Sequence, residues 1–149
     1  MMFHKMKIRR FVDSDIEILA DVISRSLLEI NSRDYTHEAI LDKLEEYTAS
    51  NIRVLSRQKR IFVAEDNGQP VGVAMLKGDE ISGVFVVPSM ARRGIGRNLM
   101  AAVEEEAKKS GCVTVQLSSS LTAHTFYEAV GYRDVKAEGS GILMEKHLN

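Results

Sequence analysis

Apolar positions along this chain recur at two different periods. Ile16, Leu19, Ala20, Ile23 and Leu27 fall at helical spacing, so the segment after Asp13 reads as an amphipathic helix capped by that aspartate. Thr36 to Thr48 repeats the pattern with Ala39, Ile40 and Leu44, on a thin stripe with a charged opposite face. Ile95, Leu99, Val103 and Ala107 make a third stripe, in a helix that Gly111 ends. Glu104 with Lys108, and Glu105 with Lys109, stand there in the favourable i,i+4 order. Shorter β-branched and aromatic runs read as strands: Lys7–Phe11, Ile61–Glu65, Pro70–Leu76, Glu80–Val87, Val113–Leu117 and Ile142–Lys146. Asn67-Gly68 marks a tight hairpin turn. Leu121–Val130 reads as a short helix, and residues 49–60 carry no decisive period. Helices first, a meander in the middle and a strand–helix–strand unit behind it predict a mixed α/β sheet domain.

Length and composition narrow the class. The 149 residues fit one domain, expected over 1–149. A net charge of -1 exerts no global pull on nucleic acid or an anionic membrane, so neither is expected as a partner. One cysteine excludes an internal disulfide and a Cys-based zinc cluster. Cys112 itself reads as a small buried apolar residue. No His/Cys/carboxylate cluster has ligand spacing, so no metal is expected. The first residues, Met1 to Ile8, lack a signal peptide's apolar stretch, and no run approaches the ~20 apolar residues of a membrane span. A cytoplasmic protein is the default expectation.

The segment Val84-Phe-Val-Val-Pro-Ser-Met-Ala-Arg-Arg-Gly-Ile-Gly96 is the most informative. A strand ends at Pro88, a basic glycine-bearing loop follows, and a long helix begins. Such a junction presents free backbone N–H groups and a positive helix end, which suits a phosphate. It is not a P-loop, which needs Gly-x-x-x-x-Gly-Lys-Ser/Thr. Nor is it a dinucleotide fingerprint, because Leu99 stands where the third glycine belongs. Gly94 and Gly96 alone could serve only a tight turn. Arg92, Arg93 and Arg97 beside a positive helix end are unfavourable unless an anion joins them.

Two motifs together resemble the GNAT family of acyl-CoA-dependent N-acetyltransferases. Ala91-Arg92-Arg93-Gly94-Ile95-Gly96 occupies the family's pyrophosphate loop, Gln/Arg-x-x-Gly-x-Gly/Ala. Tyr127 to Tyr132 matches its later Tyr-x-x-x-Gly-Phe/Tyr, about thirty residues on. Ala91 departs from the pattern and brings no side-chain donor. Ser118 to Ala123 looks like one branch of the family, in which many relatives carry Asn at the place of Ser120. The resemblance spans Ile8 to Met144 and implies a GNAT-like fold, a mixed central sheet with helices on both faces.

It also implies acetyl-CoA as cosubstrate and a primary amine as acceptor, with direct transfer in a ternary complex. The pyrophosphate would meet Arg92, Arg93, Gly94, Ile95, Gly96 and Arg97. The pantetheine arm would run between two splaying parallel strands, Glu80–Val87 and Val113–Leu117, pairing with Phe85, Val86 and Val87; backbone N–H groups near Val86 would face the oxyanion. Tyr127 would protonate the departing thiolate, a role its phenol suits by being protonated at neutral pH; the other reading is a core aromatic, since Phe126 and Tyr132 flank it. Glu80 is the base candidate, with Asp79 behind it; an exposed strand-end carboxylate is the alternative. His4, His37, His124 and His147 are scattered and read as surface residues, His124 standing one turn before Tyr127. Tyr35, His37, Asp42, Glu45 and Glu46 suit a cationic acceptor or simply a solvated helix face. A non-catalytic acyl-CoA-binding module would share the loop and strands without needing Tyr127. Sheet edges in such a fold often pair, which leaves a homodimer open.

Overall fold

The computed structural model describes residues 5–29 and 35–149. Its two central strands, β2 (Arg60–Asp66) and β3 (Gln69–Lys77), are apolar on both sides. Such strands need cover on both faces, and they receive it. Ile61, Val63, Val73 and Met75 pack with Ile16, Leu19 and Ile23 of α1 (Ile16–Glu29). Phe62, Ala64, Ala74 and Leu76 pack with Ile95, Leu99 and Val103 of α4 (Ile95–Lys109) on the opposite face. At the hairpin between β2 and β3, Asn67 and Gly68 both have left-handed φ, 51° and 83°, as the expected two-residue turn demands.

Around this centre lie β1 (Met6–Arg10), α2 (His37–Glu46), α3 (Ala49–Gln58), β4 (Glu80–Val86), β5 (Thr114–Ser119), α5 (His124–Ala129), β6 (Arg133–Glu138) and β7 (Gly141–His147). The strands form one mixed sheet in the order β1-β2-β3-β4-β5-β7-β6, antiparallel throughout except between β4 and β5. Thr36 and Thr48 cap α2 and α3 by accepting from Ala39 and Asn51 N–H at 3.1 and 3.3 Å. The undecided stretch 49–60 is therefore mostly helix, carried by one fully buried residue, Ile52.

Several expectations are corrected. Asp13 does not cap the first helix. A single turn of 3-10 helix, Asp13–Asp15, precedes it, and buried Asp15 does the anchoring. Its carboxylate accepts from Val12 N–H at 2.8 Å and from the Arg9 guanidinium at 2.8 and 2.9 Å. Burial alone would raise this carboxyl's pKa, but those hydrogen bonds outweigh it and leave it lowered. Glu104 does not pair with Lys108: tertiary partners claim it, Tyr132 Oη and Lys146 Nζ each donating at 2.8 Å. Cys112 is half-buried, not buried, because it lies in the α4–β5 turn. The short helix spans His124–Ala129 only, since Ser120 Oγ accepts from Ala123 N–H at 3.2 Å and holds the preceding turn. β6 has no counterpart in the sequence reading.

One irregularity shapes the site. Ile81 and Phe85 are four residues apart on β4 and would share a face in a regular strand. They lie in opposite cores. The cause is a bulge: Val73 pairs Phe85 but Met75 pairs Ser82, so Gly83 and Val84 together face Ala74. Gly83 has φ of 58°, and a Cβ there would lie 3.0 Å from Met75 Sδ. The Gly83→Ala variant is expected to lose about 1–3 kcal/mol of stability. Chemical denaturation would show this, and an unchanged midpoint would contradict the strain argument.

The candidate active site

β4 and β5 pair only through Glu80–Gln116 and Ile81–Leu117. Beyond those two rungs the bulge turns β4 away, and the strands part. Two clefts open at the gap. The loop cleft, about 430 Å³, lies between Val86, the glycine loop and α5. The phenol cleft, about 240 Å³, lies between β4, the β5 end and α2. They share Val84, Phe85, Ser120, Ala123 and Tyr127, so Tyr127 stands where the two meet.

The loop is built for close approach. Arg92, a non-glycine residue, is held at φ 66°, and Gly94, the residue before α4, at 80°. No side chain caps α4, so its first N–H groups are left without that partner. Arg92, Gly94, Ile95, Gly96 and Arg97 line the loop cleft. A Cβ on Gly96 would come 3.0 Å from the Phe126 ring. This arrangement suits an anion that approaches backbone directly, and the residues therefore fit a pyrophosphate. Arg93 and Val87 do not line it. The Val87 N–H instead donates to the Val71 carbonyl at 2.8 Å. Phe85 and Val86 do face the gap.

Tyr127 is 7% exposed, its ring edge-on to Phe126 at 5.1 Å and to Tyr132 at 5.9 Å. Burial, with the Tyr35 phenol adding to it, pushes its pKa above the ordinary phenol value. The hydroxyl is thus protonated at neutral pH. Tyr132 is the core member of the trio, its hydroxyl spent on Glu104. Glu80 is exposed at the start of β4 and lines the phenol cleft, whereas Asp79 does not line it. Ser120 lines both clefts. His4 lies outside the described residues. Among those residues, no group of three or more His, Cys, Asp or Glu could hold a metal ion.

Two contributors were not singled out in the sequence reading. Tyr47, 8% exposed, closes the phenol cleft and packs edge-on against Phe85 at 5.3 Å. An aromatic residue ending an otherwise charged helix was its only signal. Gly83 carried a clearer one, since an isolated glycine inside a strand pattern points to a bulge.

His124, at the start of α5, holds Asp134 Oδ1 at 2.6 Å and Glu128 Oε1 at 3.4 Å. The Asp134 hydrogen bond raises its pKa above the ordinary imidazole value. A raised folded pKa stabilises fully below the unfolded value near ~6.5 and fades as pH climbs through the folded value. The Tm difference between wild type and Asp134→Asn should therefore be largest below that pH and shrink above it. A difference that grew with pH would refute the link.

Comparison with known proteins places this geometry. Residues 31–143 match the family model described as Acetyltransferase (GNAT) domain. The uncharacterized N-acetyltransferase YafP of Escherichia coli is 26% identical over 135 residues, covering 91% of this chain and 86% of that one. The PaiA N-acetyltransferase of Thermoplasma acidophilum, solved in complex with coenzyme A, superposes with a TM-score of 0.85 at 22% identity, over 97% of this chain and 99% of that one. An N-acetyltransferase of Rhodopseudomonas palustris gives 0.85 at 24% identity over 99% of both chains.

Proposed function

The chain belongs to the GNAT acetyltransferase family, and from that premise we propose that it moves an acetyl group from acetyl-CoA to a primary amine with both bound at once. The observation that carries this reading is the gap between β4 and β5, with an uncapped helix end on one side, a carboxylate-bearing cleft on the other and Tyr127 between them.

Acetyl-CoA, when bound, supplies an activated acyl carbon and a thiol leaving group. The α4 N–H groups, Arg92 and Arg97 hold its pyrophosphate, and Arg93 contributes charge from outside the cleft. Phe85 and Val86 face its pantetheine arm. Glu80, directly or through water, accepts a proton from the acceptor ammonium, leaving a neutral amine able to attack. Free alkyl ammonium has a pKa near ~10.4, so this step is needed at neutral pH. The Val86 backbone N–H faces the charge that develops on the carbonyl oxygen. As the C–N bond forms and the C–S bond breaks, the Tyr127 hydroxyl donates to the sulfur. Its raised pKa makes it a hydrogen-bond donor first. The proton it yields is replaced from the nitrogen, which loses one on becoming an amide. Cys112 lines neither cleft, which favours direct transfer over a covalent relay.

Thiol release from acetyl-CoA across polyamines, amino acids, aminoglycosides and short peptides tests this. Release that depends on one acceptor class is expected. Tight acetyl-CoA binding with no release for any amine would favour a non-catalytic binding module.

A further inference from the structure

We propose that Glu104, which lines neither the loop cleft nor the phenol cleft, is a positioning residue that holds Tyr127 at their junction; this rests on the acid role proposed for Tyr127 above. Tyr127 rides on α5, a helix of six residues. Isolated helices shorter than about 12–15 residues are marginal in water, so the place of its phenol is set by what grips the helix from outside. At the front, the Ser120 hydroxyl accepts from Ala123 N–H at 3.2 Å, and His124 meets Asp134 at 2.6 Å. At the rear, two grips lead to Glu104.

The first runs through Tyr132. Its backbone N–H donates to the Tyr127 carbonyl at 2.9 Å, its ring stands edge-on to the Tyr127 ring at 5.9 Å, and its hydroxyl donates to Glu104 Oε2 at 2.8 Å. The second runs through Lys146 of β7. Its ammonium donates to Glu104 Oε1 and to the Val130 carbonyl, both at 2.8 Å. Val130 closes the end of α5, and its own N–H returns to the Phe126 and Tyr127 carbonyls at 3.2 Å. A carboxylate accepts through both oxygens, so one side chain serves both routes. It fixes the ring beside Tyr127 with one oxygen and the end of the helix with the other. The Glu104 side chain is 13% exposed and that of Lys146 27%, so solvent screens this charge-assisted pair only in part. Glu104 is carried by α4, whose first turn lines the loop cleft, so the helix that opens on that cleft also sets the proton donor.

Steady-state kinetics of Glu104→Ala, alone and combined with Tyr127→Phe, tests this, with thiol release from acetyl-CoA as the assay and melting curves alongside. Glu104→Ala should lower kcat roughly 10- to 100-fold and leave KM for acetyl-CoA within about twofold, as displacement of a catalytic group does. In the Tyr127→Phe background the same substitution should cost nothing further, because no donor is left to position. Unchanged kcat with a lowered Tm would make the network merely stabilising, and an equal loss in both backgrounds would show that Glu104 does not act through Tyr127; either overturns the proposal. If Glu104→Ala does not fold, Tyr132→Phe and Lys146→Met cut one route each. Both should lower kcat by a smaller factor, and wild-type kcat in both would overturn it. Should no amine support release by the wild type, the transfer reading falls, and the positioning is read by NMR of protein isotope-labelled at tyrosine Cζ. The chain has four tyrosines, and Tyr127→Phe identifies the signal of interest. That signal should move in Lys146→Met, and a signal left in place would overturn the positioning role on its own.

Discussion

Replacing Tyr127 by Phe will lower turnover by roughly 10²–10⁴-fold, the range for a lost general acid. The fold should survive. The ring contacts to Phe126 and Tyr132 do not involve the hydroxyl, and that hydroxyl has no hydrogen-bond partner among the described residues. The loss should fall on kcat with little change in KM for acetyl-CoA, because the sulfur needs a donor only as its bond breaks. Steady-state kinetics of the two proteins, with melting curves to verify folding, gives the answer. A variant that kept wild-type kcat would show Tyr127 to be a core aromatic that happens to border the gap. A variant with unaltered kcat but raised KM would make it a contact surface for the cosubstrate.

Most of the fold was legible because it rests on periodicity. The helical stripe from Ile95 to Ala107 and the unbroken apolar run from Ile61 to Ala64 follow from burial, on one face and on two respectively, and burial leaves a trace in composition. β6 left none. Its six residues, Arg133–Glu138, are all exposed, and backbone pairing with β7 holds it. Backbone hydrogen bonds do not select side chains, so the segment reads as polar loop. Its charges and its bulge near Val135 also fit an edge guarded against pairing with another chain. Glu104 shows a different failure. Local spacing named Lys108 as its partner, but Tyr132 and Lys146 offered closer contacts that only the tertiary fold creates.

The site divides along the same line. The loop from Arg92 to Arg97 was readable, since glycine spacing is a backbone signal with few alternatives. The gap came only through the family resemblance and not through residue pattern, because it depends on a one-residue phase shift at Gly83 that moves Phe85 into the opposite core. Glu80 was readable only as a carboxylate at a strand start. Its place in the phenol cleft needs the β4–β5 parting and the approach of α2, and neither is written in residue pattern.

The Gly96→Val variant should weaken acetyl-CoA binding by about 10²-fold, on the basis of one or two charge-assisted hydrogen bonds worth ~1.5–3 kcal/mol each. Position 96 is the second residue of an uncapped helix, where N–H groups and the dipole concentrate positive potential. The proposed pyrophosphate would come within hydrogen-bond distance of that backbone, which glycine leaves uncrowded. A valine would also press on the Phe126 ring, which lies 3.0 Å from where its Cβ must be. The Gly96→Ala variant should lose less, because a single methyl can be met by a small shift of that ring. The Arg92→Ala variant should lose less still, and its deficit should shrink in high salt, since it removes an exposed charge that solvent already screens. This ordering follows from Ala91. Where the family usually places Gln or Arg, this chain has no side-chain donor, so in the proposed site more of the anion's binding would rest on backbone. Equilibrium binding of coenzyme A to the three variants at two ionic strengths would test the ordering. If Arg92→Ala lost more than Gly96→Val, side-chain charge rather than the helix end would be the principal holder of the phosphate.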